Sequence, residues 1–89
     1  MKIKEGFVKR SIQGKTVLIP VGELCSSFHG MIELNETAEF IWDMLETENS
    51  QESIVEALTD RFNVSHEKAL NDTERIIKAI SDAGLFADN

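Results

Sequence analysis

A single cysteine cannot form an internal disulfide, so this 89-residue chain has no covalent staple of its own. That usage fits a reducing cytoplasm. Cys25 and His29 stand close in sequence, but His66 lies far along the chain. A structural zinc site takes about four ligands, so no metal is expected. The five glycines are isolated from one another, which leaves no glycine-rich loop to cradle phosphate. Uninterrupted apolar runs last only a few residues, far short of a membrane span. The opening Met1-Lys2-Ile3-Lys4-Glu5-Gly6 lacks the apolar core of a secretory signal.

Basic residues are also scarce. Nine Lys and Arg face sixteen Asp and Glu, for a net charge of −7. The balance is uneven: residues 1–22 carry +4 and the remainder −11. An acidic body is a poor match for phosphate backbones, which are bound by clustered Lys and Arg. It suits a neutral or basic partner, or it serves solubility alone.

What is present is a set of short, well-punctuated elements, enough for one small domain over residues 1–89. Residues 7–12 and 15–20 read as a β-hairpin across Gln13-Gly14. The second half, Lys15-Thr16-Val17-Leu18-Ile19-Pro20, is rich in β-branched residues and stops at Pro20. Apolar and polar residues do not separate cleanly along the first strand, so its inward face stays open. Val21 to His29 reads as a loop, and Met31 to Leu34 as a third short strand.

Asn35 then caps a helix from about Glu36 to Glu46, with Ala38, Ile41, Trp42 and Leu45 at helical spacing. Trp42 in that register is a core residue; Phe40 and Met44 point to another side. Asn49 or Ser50 caps a second helix, whose apolar face is Ile54, Val55, Leu58 and Phe62 and whose end is Asn63. Ser65 caps a third, with Ala69, Leu70, Thr73, Ile76, Ile77, Ile80 and Ala83 on one broad face. Gly84 ends it, and Leu85-Phe86 fold back. Strands first and helices after make an α+β domain, winged-helix-like, with three N-terminal β-strands followed by three α-helices.

Catalytic signals are weak. No elbow presents Cys25, Ser26 or Ser27 as a nucleophile, and the two histidines sit on different elements. No enzymatic activity and no cofactor are expected. The third helix, the natural DNA-reading element of a winged helix, holds Lys68, Arg75 and Lys78 against Glu67, Asp72, Glu74 and Asp82. Nucleic acid is therefore the wrong partner. The strand Met31–Leu34 either completes the sheet or offers a free edge to an extended peptide, since Glu33 is its only charge.

The hairpin ending Val17-Leu18-Ile19-Pro20-Val21-Gly22, then Leu34-Asn35-Glu36-Thr37-Ala38 followed by Ile41-Trp42, then Ile54-Val55, Leu58 and Phe62, and finally Ala83-Gly84-Leu85, resembles the coenzyme PQQ synthesis protein D (PqqD) family. The resemblance spans about residues 5–86, and Leu-Asn-Glu-Thr-Ala is its most specific part. It implies a recognition element of ribosomally made, post-translationally modified peptide pathways. Such an element binds a precursor's leader segment as a strand added to the third strand, against the third helix. It presents the precursor to a modifying enzyme, in the PQQ pathway a radical SAM protein.

Carried onto this chain, the strand is Phe28 to Leu34 and the helix about His66 to Ala83. The implied peptide-binding residues are Phe28, His29, Gly30, Met31, Ile32 and Glu33, with Leu70, Asp72, Thr73, Arg75, Ile76 and Ile77 on the helix. The connection Glu23 to Gly30 is longer than the family's, and Glu46-Thr47-Glu48-Asn49 replaces its frequent Asp-Gly. The alternatives are a winged-helix interaction or regulatory domain with no leader peptide, and a small acidic carrier. A carrier needs a serine at a helix start, typically within Asp-Ser-Leu, and Ser26 and Ser27 lack that context. The free edge permits either a monomer or a homodimer.

Overall fold

A computed structural model describes residues 1–27 and 30–87. The hairpin pairs β1 (Phe7–Ile12) with β2 (Lys15–Pro20), antiparallel, from Phe7↔Pro20 to Ile12↔Lys15. Gln13 and Gly14 both take positive φ, 53° and 80°. That pair of dihedrals makes a two-residue turn whose twist matches the strands. β3 (Ile32–Leu34) pairs antiparallel with the other side of β2, giving the order β1-β2-β3.

β3 is one residue shorter than the sequence suggests, because Met31 lies outside the ladder. The cause is on β2, whose run ends at Pro20, a residue with no N–H to pair. Gly30, at φ +103°, adopts a backbone conformation foreign to a strand. The part of the expected strand at Phe28 and His29 lies outside the described residues.

A single helical turn, α1 (Leu24–Ser27), occupies part of the stretch read as loop. So the order is two strands, a turn of helix, a third strand and then three long helices. α2 (Glu36–Leu45) starts at Asn35, whose side chain accepts from the Ala38 N–H at 2.8 Å. α3 (Gln51–Phe62) is capped by Ser50, which accepts from Ser53 at 3.1 Å, and ends at left-handed Asn63. Asn49 instead closes α2, donating to the Met44 carbonyl at 2.6 Å. α4 (His66–Asp82) starts at Ser65, which accepts from Lys68 at 3.1 Å.

The inward faces of these elements share one core. Ile41, Leu45, Ile54 and Leu58 are fully buried, with Leu18 from β2, Trp42 from α2 and Ala69 and Ile80 from α4. Each large apolar side chain so buried contributes about 1.5–3 kcal/mol. Phe7 meets Trp42 edge-on at 5.5 Å, and Phe40 meets Phe62 in the same way.

The two ends of the chain clasp this core together. Ile3 pairs with Phe86, the Lys4 N–H donates to Leu85, and the Ala87 N–H donates to Lys2. Ile3 and Leu85 are both buried. No described helix is long and apolar enough to cross a membrane.

Candidate functional site

Hydrogen-bond parity decides what β3 offers to a partner. A two-residue hairpin loop makes its flanking residues, Ile12 and Lys15, a mutually bonded pair. Alternation then turns the N–H and C=O of Lys15, Val17 and Ile19 toward β1, and those of Thr16 and Leu18 toward β3. Their partners on β3 are Leu34 and Ile32. Glu33, between them, therefore points its N–H and C=O away from β2. Among the described residues no backbone hydrogen bond reaches that edge.

The sheet's other edge is different in character. β1 carries Lys9 and Arg10, cationic side chains of the kind that discourage strand pairing. Lys9 is also tied down. Its Nζ meets Glu39 at 2.9 Å and Asp43 at 2.8 Å on α2, and Glu39 accepts from Thr16 Oγ1 at 3.2 Å. The hydrogen bond from Lys9 holds the Glu39 carboxyl below its ordinary value. Asp43, then Glu39, raise the Lys9 ammonium above its own. These contacts settle the face of β1 that the sequence left open: Phe7 and Lys9 turn toward the helices.

Beside β3, α2 acts as a floor. Both β3 and α4 pack on α2. The residues implied on α4 then divide by flank. Leu70 lines a groove with Val55, Gln51 and His66 on the α3 side. Glu74 is on that side too, accepting from Gln51 at 3.4 Å, and Ile77 lies at the same edge of the apolar arc. Thr73 points into the core and is 0 % exposed, with a hydroxyl that finds no partner among the described residues.

The flank away from α3 carries Lys68, Asp72, Ile76 and Ala79 at helical spacing, with Arg75 alongside. Asp72 is 8 % exposed. It is held between Lys68 at 3.1 Å and Arg75 at 3.4 Å. Ile76 is half-buried against the core. Lys68 and Ala79 were not among the sequence candidates, although steps of three and four residues from Asp72 and Ile76 point to them.

On the strand side, Met31 is 60 % exposed, Ile32 half-buried and Glu33 exposed, its carboxylate 3.5 Å from Lys15. Gly30 is exposed just before them. Phe28 and His29 lie outside the described residues. The outward backbone of Glu33 was not foreseen from sequence; it follows only from the strand register.

Comparison with known proteins gives two matches. A solved structure, TbiB1 in complex with the TbiA(beta) leader peptide, has a similar fold, with a TM-score of 0.71. It is 24% identical in sequence, covering 99% of this chain and 100% of that one. No curated protein matches the chain. The family model described as coenzyme PQQ synthesis protein D (PqqD) matches residues 13–85. That stretch holds the hairpin turn, β2, β3, all the long helices and buried Leu85, so the chain belongs to the PqqD family.

Proposed function

We propose that this protein is a non-catalytic adaptor that binds the leader segment of a ribosomally made precursor peptide and presents it to a modifying enzyme. The observation that carries this reading is the unpaired outer edge of β3, where the N–H and C=O of Glu33 project with no partner among the described residues. An extended peptide added there gains backbone hydrogen bonds, and alternate side chains enter pockets that set specificity. The fold shared with a protein solved around its leader peptide, and membership of the PqqD family, support the same use of this edge.

In this reading the leader runs along Met31, Ile32 and Glu33. Its inward side chains face the flank of α4 that bears Asp72, Arg75 and Ile76, over the floor made by α2. Leu70 and Ile77, on the other flank, and buried Thr73 shape α4 without meeting the peptide. Gly30 extends the peptide track at its start, and the candidates Phe28 and His29 lie outside the described residues. Tethering the precursor raises its effective concentration at the partner enzyme. A radical SAM protein is the partner class that the PQQ pathway suggests.

The test is a titration of isotope-labelled protein with synthetic leader segments of candidate precursor peptides. Amide signals of Ile32, Glu33, Asp72, Arg75 and Ile76 shift if the reading is right. Signals that stay fixed there while the rest of the protein is intact reject it.

A further inference from the structure

The inner side of the proposed peptide track differs in charge from the rest of the chain. Strand alternation turns the Glu33 side chain to the sheet face away from the helices, where Lys15 meets it at 3.5 Å. On α2, Glu39 and Asp43 are bound to Lys9. Glu36 shares a pocket with Arg61 and Phe62 at the end of α3. Asp82, about two turns beyond Arg75 on α4, is bound to Lys78 at 2.9 Å. Among the described residues, this leaves the inner side to apolar Ile32, Ile76 and Ala79 and to three charged groups on α4: Lys68, Asp72 and Arg75.

Those three do not balance. Asp72 supplies one negative charge, and its neighbours supply two positive ones. The Asp72 carboxylate is also fully engaged. Its side chain is 12% exposed; one oxygen accepts from Lys68 at 3.1 Å and the other from Arg75 at 3.4 Å. The cations are far more open, with the Lys68 and Arg75 side chains 61% and 70% exposed. Arg75 reaches Asp72 through a single nitrogen, so most of the guanidinium's donors stay open to a further acceptor. A chain with nine Lys and Arg against sixteen Asp and Glu therefore carries a surplus positive charge on the flank that faces the proposed peptide. A basic leader side chain finds no open carboxylate there.

We propose that the leader bound at β3 carries an acidic side chain, Asp or Glu, which the guanidinium of Arg75 takes with Lys68 beside it. The proposal rests on reading β3 as the leader-binding edge, and it names what that edge selects. A planar guanidinium matches a carboxylate through two parallel hydrogen bonds. Side chains alternate along an added strand. The acidic residue therefore shares a face with the leader's apolar residues that meet Ile32 and Ile76, and it is fixed at one position of the leader.

Calorimetric titration with synthetic leader segments of candidate precursor peptides tests the proposal, each leader being made also with its Asp and Glu changed singly to the amides. One such change weakens binding about tenfold. Arg75→Gln weakens binding of the unchanged leader by the same factor, and the amide leader then loses nothing further. Arg61→Gln removes an equal charge from an exposed position on α3 and leaves affinity within about twofold.

Tight binding at β3 by a leader without Asp or Glu overturns the proposal, as do amide changes that all leave affinity as it was. Losses from Arg75→Gln and from the amide that multiply, as independent effects do, overturn it as well. So does an Arg61→Gln loss equal to that of Arg75→Gln, which assigns the effect to net charge. In each of these outcomes the leader still binds and still shifts the Glu33 amide, so strand addition stands without the acidic residue. Leaders that neither bind nor shift Glu33 reject the adaptor reading, and the specificity with it.

Discussion

Replacing Glu33 by proline separates the pairing of the third strand with β2 from the peptide binding proposed for its outer edge. The Glu33 N–H takes no part in the β2–β3 ladder, so Glu33→Pro removes no backbone hydrogen bond from the sheet; proline is tolerated on an edge strand in that position. The Lys15–Glu33 ion pair is lost, but both side chains are well exposed, at 66% and 60%, so little stability goes with it. Leader binding, on the proposed reading, is another matter: the N–H offered to the peptide disappears, a peptide carbonyl is left without its donor, and the ring stands in the way of the added strand. The unmade bond alone costs about 1–3 kcal/mol, or roughly 5- to 150-fold in Kd.

Ile32→Pro is the matched comparison. The Ile32 N–H bonds to Leu18, so its loss costs about 1–3 kcal/mol of folding stability. Calorimetric titration with the leader and urea unfolding should therefore give opposite rankings. Glu33→Pro binds worst relative to its stability; Ile32→Pro unfolds first. Unchanged leader affinity in Glu33→Pro refutes the strand-addition reasoning. Equal loss of stability in the two variants refutes the parity assigned to β3.

Other consequences follow from the core and its caps. Thr73→Val replaces a buried hydroxyl that has no partner among the described residues with a methyl of the same shape, and should stabilise the fold by about 1 kcal/mol in urea unfolding. Trp42→Ala removes the buried ring that Phe7 packs against, and should cost about 3–5 kcal/mol, a large part of a small domain's stability. The link between Lys9 and Glu39 makes stability depend on pH at both extremes. Glu39, held below its ordinary 4.5, contributes fully above that value and loses its contribution as pH falls through the lowered pKa. Lys9, raised above 10.5, contributes fully below that value and loses its contribution as pH rises through the raised one. Thermal melts of Lys9→Met should lack both flanks relative to the parent.

Much of this fold is legible residue by residue. Gly14 marks the hairpin because glycine takes positive φ at no steric cost, while Gln13, which ordinarily avoids it, is held there by the turn. Asn35 and Ser65 mark helix starts because a short oxygen-bearing side chain can reach the orphan N–H three residues on, and each does so. Asn49 and Ser50 have the same chemistry and stand side by side, so only the fold decides that Ser50 caps α3 while Asn49 closes α2. The turn Leu24–Ser27 escapes because four residues are too few to show a helical period.

The site is less legible than the fold. Apolar residues cover a wide arc of α4, and which flank faces α3 depends on Gln51 and Val55, far away in sequence. Thr73 reads equally well as groove or core until its neighbours are placed. The feature on which the proposed peptide binding depends most is a backbone group, the N–H of Glu33. Its direction depends on the register of the strands, and no side chain records it.

Amide hydrogen exchange at Glu33, followed with and without the leader peptide, tests the central claim most directly. In the free protein Ile32 and Leu34 exchange slowly, bonded to β2, while Glu33 exchanges fast at the open edge. With leader bound, Glu33 becomes protected and its two neighbours change little. A Glu33 amide already protected in the free protein, or one that stays fast when the leader is bound, contradicts the account.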